Sequence, residues 1–264
     1  MSQVASFSHI FSDFQSARRA LLSGASFAIV DAMPGDSHGN LNWAMSEILP
    51  FKPYAALSSM LDFRPETLEG KAIFLAHRFL RPARGLLSFL EKEVLQLIRN
   101  LVLQCSKVLA LDDSMHIRAA EDEPGVVNVA QRFHTDGRPA GNGGDYFIAL
   151  VTLGDAPGTE LACPGAGTLA TLARLSAQYN QVVALKRKLG FFGTLLSQPE
   201  LIEIAQRCDE AVLESEIVRA SPYQVVFMRN SDCGTLGAPG ACWHRAPRAY
   251  GRHRGLLVLS GALV

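Results

Sequence analysis

The sequence predicts an α+β fold: a mainly helical N-terminal region packed on a β sandwich or barrel, with a helical insertion inside the β part. Three observations predict it. Between residues 86 and 109 the apolar positions recur every three or four residues, the stripe of an amphipathic helix. After Asp113 the texture changes to short β-type runs separated by Gly and Pro. Between about 168 and 216 the apolar period lengthens again toward that of a helix. These changes divide the chain into a support region, 1–113, and a β core, 114–264, with its insertion at about 168–216.

The elements follow in order. Residues 27–30 form a strand, and the stretches around Pro50 and Pro53 read as loop. Pro82 and Gly85 open the long helix, whose stripe is Leu87, Leu90, Val94, Leu97, Leu101, Cys105 and Val108. It is expected to run to 109 and to pack on the outside of the sheet. Strands are predicted at 115–119, 126–134, 146–153, 159–162, 223–228 and 254–260. Leu169, Leu172, Leu175, Leu201, Ile204 and Cys208 carry the insertion, interrupted by Gly190, Gly193 and Pro199.

Composition narrows the function classes. At 264 residues, 48% hydrophobic and 19% charged, the chain has enough apolar residues for a substantial core. Its 25 basic and 25 acidic residues cancel, which removes any bulk pull toward nucleic acid or an anionic membrane. The N-terminal residues show neither a basic stretch nor an apolar one, and no run approaches a membrane span, so a cytoplasmic protein is expected. Five cysteines without a CxxC pair fit reduced, structural thiols. Cys233, Cys242 and His244 suggest a zinc cluster but lack a fourth ligand.

The chemistry-bearing residues are His134, Asp136, His244 and Arg254. On a strand ending at His134, alternation puts His134 and Asp136 on one face with Asn128, Ala130 and Arg132, and Val127, Val129 and Phe133 on the other. Seven histidines and 12 aspartates make about 0.3 such HxD pairs by chance, so the motif needs context. His244 and Arg254, ten residues apart, supply it: a hairpin centred on Ala249, with Pro247 and Gly251 as turn residues, would set them opposite each other on one face. Two imidazoles and a carboxylate suit one face of an octahedral Fe(II), leaving positions for a 2-oxo acid and O2. A guanidinium adds a planar, permanently charged fork for a distant carboxylate.

With HxD on an early strand, the run Ser221-Pro-Tyr-Gln-Val-Val-Phe-Met228 before the distal His, and Arg254 opening the last strand, the segment from about 115 to 260 resembles the Fe(II)/2-oxoglutarate-dependent oxygenases. The blocks Arg132-Phe-His-Thr-Asp136, Pro157-Gly-Thr-Glu-Leu161 and His244-Arg-Ala-Pro247 also resemble a bacterial domain family of uncharacterised function. The first resemblance implies a double-stranded β-helix of jelly-roll or cupin type. It further implies iron ligation by His134, Asp136 and His244, 2-oxoglutarate binding by Arg254, and hydroxylation of a small molecule or side chain with O2. Many members carry a hydroxyl two positions after the arginine, where this chain has Leu256; Tyr146 and Thr152 are the alternative hydroxyl sources.

Other readings compete. A cupin-like module that binds metal without catalysis would use the same ligands. Gly165-Ala-Gly167-Thr-Leu-Ala170 matches a dinucleotide fingerprint, with Lys186-Arg187-Lys188 for an NADP phosphate, but a loop entering a helix explains it as well. The Gly-rich loop 137–145 forms either a surface connection or a mobile edge of the site, with Arg138 or Asn142 near substrate. Arg245 is expected on the face opposite His244, and Arg252 shares a face with Arg254. His77, His116 and His253 have no companion ligands at suggestive spacing.

Overall fold

The structure is a computed structural model and describes residues 9–31, 61–63, 95–120, 132–138, 146–154, 157–232, 240–247 and 254–264. In order these form β1 (Ile10–Phe11), α1 (Phe14–Leu22), β2 (Phe27–Asp31), β3 (Leu61–Phe63), α2 (Leu95–Cys105), β4 (Leu109–Ala120), β5 (Gly137–Arg138), β6 (Tyr146–Gly154) and β7 (Glu160–Cys163). They continue with α3 (Ala166–Leu213), β8 (Glu216–Arg219), β9 (Gln224–Arg229), β10 (Ser231–Asp232), β11 (His244–Arg245) and β12 (Arg254–Leu263). The fold is therefore mixed, with sheets and helices. None of the described helices is long and apolar enough to cross a membrane.

A seven-stranded sheet runs β1-β2-β9-β6-β12-β4-β3, and a three-stranded sheet runs β11-β7-β8. The two lie face to face. Phe27, Ile29, Ile148, Leu150, Val226, Met228, Leu256 and Val258 of the larger sheet share one buried cluster with Leu161, Cys163, Val218, Ala220 and Cys242 from the smaller sheet and its flanking residues. Alternation along each strand explains the division, because every second residue is turned into this layer. On the far side of the larger sheet α1 packs, with Ala17 and Leu21 fully buried and Phe14 edge-on to Phe227 at 6.0 Å. Asp13 caps that helix by accepting from the Ser16 amide at 2.8 Å.

The far side of the smaller sheet is covered by α3. Phe133, Ala162 and Trp243 form a second buried cluster with Leu172, Leu175, Val182, Leu201, Ile204, Cys208 and Val212. A straight helix of 48 residues would span about 72 Å, yet its ends lead directly from Cys163 and into Glu216, which face each other across β7 and β8. The helix must therefore double back. Since Val182 and Leu201 belong to the same cluster, the reversal falls between them, in the stretch holding Gly190, Gly193 and Pro199. The insertion is a helical hairpin laid on the back of the small sheet.

Several expectations need adjustment. The long helix ends at Cys105, a turn follows, and Leu109 already pairs with Leu263. Val108 and Leu109 are buried in either periodicity, which hid the change. Position 113 lies inside β4, where Leu111 pairs with Gly261 and Met115 with Leu259, so that Asp112, Asp113 and Ser114 bulge against Ser260. Those polar residues broke the apparent strand. The support region also contributes strands, since β2 pairs with β9 well inside the larger sheet. The fingerprint at Gly165 opens α3 after a strand whose two neighbours are both antiparallel, which is not the parallel β-α-β unit that a dinucleotide site requires. The helix start at Pro82 and Gly85, the loop at Pro50 and Pro53, and most of the predicted 126–134 strand lie outside the described residues.

Candidate metal centre

His134 and His244 are bound back to back through their main chains. The His134 amide donates to the His244 carbonyl at 3.0 Å and the His244 amide donates back at 2.9 Å. Residues exchanging both bonds in an antiparallel pair project to the same side, and their rings lie 4.5 Å apart. On its other edge His244 pairs with Leu161, which faces the layer between the sheets. His244 shares that face. Phe133 and Trp243, one residue before each histidine, turn outward under the helical hairpin, so the wet and dry sides read from the sequence hold for the described residues.

Asp136 completes the group. Its Oδ1 lies 3.6 Å from His134 Nε2 and its Oδ2 3.3 Å from His244 Nε2. One donor atom from each of the three residues falls within 4.8 Å of the others, the only such group of metal-binding side chains among the described residues. Both Nδ1 atoms are engaged by main-chain carbonyls, His134 with Arg132 at 2.7 Å and His244 with Cys242 at 3.2 Å. A carbonyl only accepts, so each Nδ1 carries a proton, which leaves Nε2, the nitrogen turned toward Asp136, as the atom that a metal takes once it is free of a proton. Two nitrogens and a carboxylate, converging and pre-oriented, form a donor set that a divalent transition metal fits.

Electrostatics separate the two rings. Burial, then the neighbouring His244, holds the His134 imidazole below its ordinary pKa. Burial pushes His244 the same way, but the charge and hydrogen bond of Asp136 outweigh it and raise His244 above the ordinary value. The side chain of Asp136 is 41% exposed against 24% for His134 and 8% for His244, so the centre opens to solvent on the carboxylate side.

Arg254 does not pair with His244 as the hairpin reading expected. It opens β12 in the larger sheet, opposite Gly154 on one edge and Ala120 on the other. His244 stands in the smaller sheet with both its edges occupied, by His134 and by Leu161, so no hairpin can pair it with Arg254. Tyr146 is excluded as a neighbour of Arg254: it pairs with Ala262, about 25 Å along the strand from Gly154. Thr152 is directly opposite Leu256, two residues from Arg254, and is 4% exposed.

Arg245 takes the opposite face from His244, as alternation predicted. Its guanidinium lies over the Phe133 ring, 4.5 Å from the centroid, and donates to Glu160 at 2.6 Å. Glu160 also accepts from Arg219. Sequence reasoning assigned Glu160 no role; the signal was an acid inside the predicted strand 159–162. Gly137 and Arg138 pair with Ser231 and Asp232, while Cys233, Arg252, His77, His253 and the remainder of the 137–145 loop, Asn142 included, lie outside the described residues.

No protein-family model and no curated protein matches the sequence. Among solved structures, the chain is similar to an apo structure of the Kdo hydroxylase KdoO, a non-heme Fe(II) alphaketoglutarate-dependent dioxygenase. That match has 14% identity over 97% of this chain and 89% of that one, with a TM-score of 0.49. It is also similar to AviO1 from Streptomyces viridochromogenes Tue57, at 13% identity over 95% and 96% with a TM-score of 0.40. HygX from Streptomyces hygroscopicus, with nickel and 2-oxoglutarate bound, gives 10% identity over 93% and 86%, with a TM-score of 0.40. Likeness at this level carries no argument about chemistry, which rests on the side chains of the centre.

Proposed function

We propose that the chain is an Fe(II)- and 2-oxoglutarate-dependent oxygenase that hydroxylates a small molecule or an exposed side chain. The observation that supports it is the convergence of His134 Nε2, His244 Nε2 and an Asp136 carboxylate oxygen, with both rings oriented by Nδ1 contacts to main-chain carbonyls so that Nε2 faces the centre. In this reading the three residues hold ferrous iron. When bound, the iron supplies the redox chemistry that couples O2 reduction and 2-oxoglutarate decarboxylation, to succinate and CO2, with oxidation of a substrate C–H bond.

The chain's own groups bind and orient. Arg254 grips the distant carboxylate of 2-oxoglutarate through its planar fork, and Thr152, opposite Leu256, supplies the hydroxyl that position 256 lacks. The chain crosses repeatedly between the two facing sheets, from β6 to β7 and β8, back to β9, then to β11 and β12. That path supports a double-stranded β-helix of jelly-roll type with the hairpin as its insertion, in which β1, β2, β3 and the start of β4 from the N-terminal region complete the larger sheet. Among the described residues Cys105, Cys163, Cys208 and Cys242 are free thiols, which suits a reducing cytoplasm.

Anaerobic addition of Fe(II) and 2-oxoglutarate tests the proposal. A weak visible charge-transfer band, and O2-dependent succinate release that disappears in Asp136→Ala and Arg254→Ala, are expected. Succinate release that survives both substitutions sinks it, and a chain that binds metal without the band points to a non-catalytic module.

A further inference from the structure

In a strand bonded along one edge, successive amides point alternately toward and away from the partner. The His134 amide is used on His244, so the Phe133 amide points to the other edge, where no main-chain acceptor among the described residues receives it. Phe133 is 2% exposed, and a main-chain donor buried without an acceptor costs about 1–3 kcal/mol. Asp209 answers it: its Oδ1 accepts from the Phe133 amide at 2.8 Å.

Asp209 belongs to the second arm of the helical hairpin, directly after the fully buried Cys208 and beside the stripe Ile204, Cys208 and Val212 that packs around Phe133 and Trp243. Its acceptor is thus held by a packed helix. The segment carrying the first ligand is consequently pinned on both edges within two consecutive residues, by Asp209 at Phe133 and by His244 at His134.

We propose that Asp209 is a positioning residue for the metal centre, fixing the main chain at Phe133 so that His134 meets Asp136 and His244, and that the helical insertion serves as the rear clamp of the site. This rests on the metal-site reading above. Asp209 acts through the backbone, one residue before the first imidazole, beside a charge effect on His134 that is the least of those on that ring. Losing such a support weakens metal binding by about 10–100-fold.

The test is anaerobic titration of the full chain with Co(II), read by its visible absorption, alongside thermal unfolding of the metal-free chain. Asp209→Ala is expected to weaken Co(II) binding at least tenfold. Asp209→Asn, which keeps an acceptor oxygen, is expected to stay within about threefold of the unaltered chain. If Asp209→Ala unfolds earlier yet binds Co(II) as tightly as the parent, the contact is structural only and the proposal falls. It falls equally if Asp209→Asn loses as much affinity as Asp209→Ala, because the hydrogen bond is then not what matters. Failure of the metal reading looks different: the parent chain takes up no Co(II), or His134→Ala takes it up unchanged.

Discussion

Glu160 and Arg245 form an ion pair at 2.6 Å in which the carboxylate side chain is only 4% exposed, directly behind the strand that carries His244. Burial alone would raise the Glu160 pKa, but hydrogen bonds from Arg245 and Arg219, together with their charges, hold it below the ordinary carboxylate value. A depressed pKa contributes stability that is present above the unfolded value and is lost as pH falls through the folded one. Urea unfolding from neutral into acid pH is therefore expected to show a steeper loss for the parent than for Glu160→Gln. At neutral pH Glu160→Gln is expected to cost about 3 kcal/mol, since it leaves Arg245 half-buried without its counter-charge. Equal acid slopes for parent and variant would contradict this.

Protons and metal compete for His244. Its pKa is raised above the ordinary imidazole value, against burial, by Asp136, whereas that of His134 is lowered. Metal requires both Nε2 atoms free, so affinity is expected to fall on acidification beginning above the ordinary imidazole pKa, with His244 as the proton-bearing site. In the metal-free chain the sign reverses: the His244–Asp136 pair contributes stability at low pH that fades as pH rises through the raised pKa. Calorimetric Co(II) titration in buffers of different ionisation enthalpy should count about one proton released at a pH below the raised value of His244 and above the lowered value of His134. A count of two, or none, would show that the rings do not differ in this way.

What the sequence made legible was whatever a local period or a short motif encodes. Strands β2, β6, β7, β9 and β12 were visible because each alternates or runs apolar over its length, and the HxD pair and His244 stood out by residue type. The strand pairing of Arg254 was not visible. Ten residues between His244 and Arg254 fit a hairpin, but only tertiary pairing reveals that both edges of His244 are taken. Asp209 and Glu160 escaped for the same reason: their partners are 76 and 85 residues away, and no local rule joins a carboxylate to so distant an amide or guanidinium. The start of β4 was masked by Asp112 and Asp113, polar residues that a bulge accommodates and periodicity cannot.

Gly158 tests how closely β7 and the end of β8 must approach. A methyl group there would collide with the Ala220 carbonyl, whose residue donates its amide to Thr159 at 3.0 Å. The obstacle is backbone on both sides and cannot swing away. Gly158→Ala is expected to destabilise by about 1–3 kcal/mol and to loosen β7, the strand against which β11 presents His244. Denaturant unfolding checks the first effect and Co(II) affinity the second; a variant as stable as the parent would mean that the approach relaxes without cost.

Thr152 offers the sharpest check on how the cosubstrate is held. It is buried, pairs with Leu256, and lies two residues from the register position of Arg254, on the strand face that also carries Ile148 and Leu150. Thr152→Val keeps nearly the same volume and removes only the hydroxyl. One hydrogen bond to a carboxylate is worth about 1.5 kcal/mol, so KM for 2-oxoglutarate is expected to rise about tenfold while kcat changes little, the signature of lost ground-state binding. Thr152→Ser retains the hydroxyl and should restore most of the affinity. If Thr152→Val leaves KM for 2-oxoglutarate unchanged, the carboxylate is gripped elsewhere, and the assignment of Thr152 fails while that of Arg254, tested by loss of succinate release in Arg254→Ala, stands or falls separately.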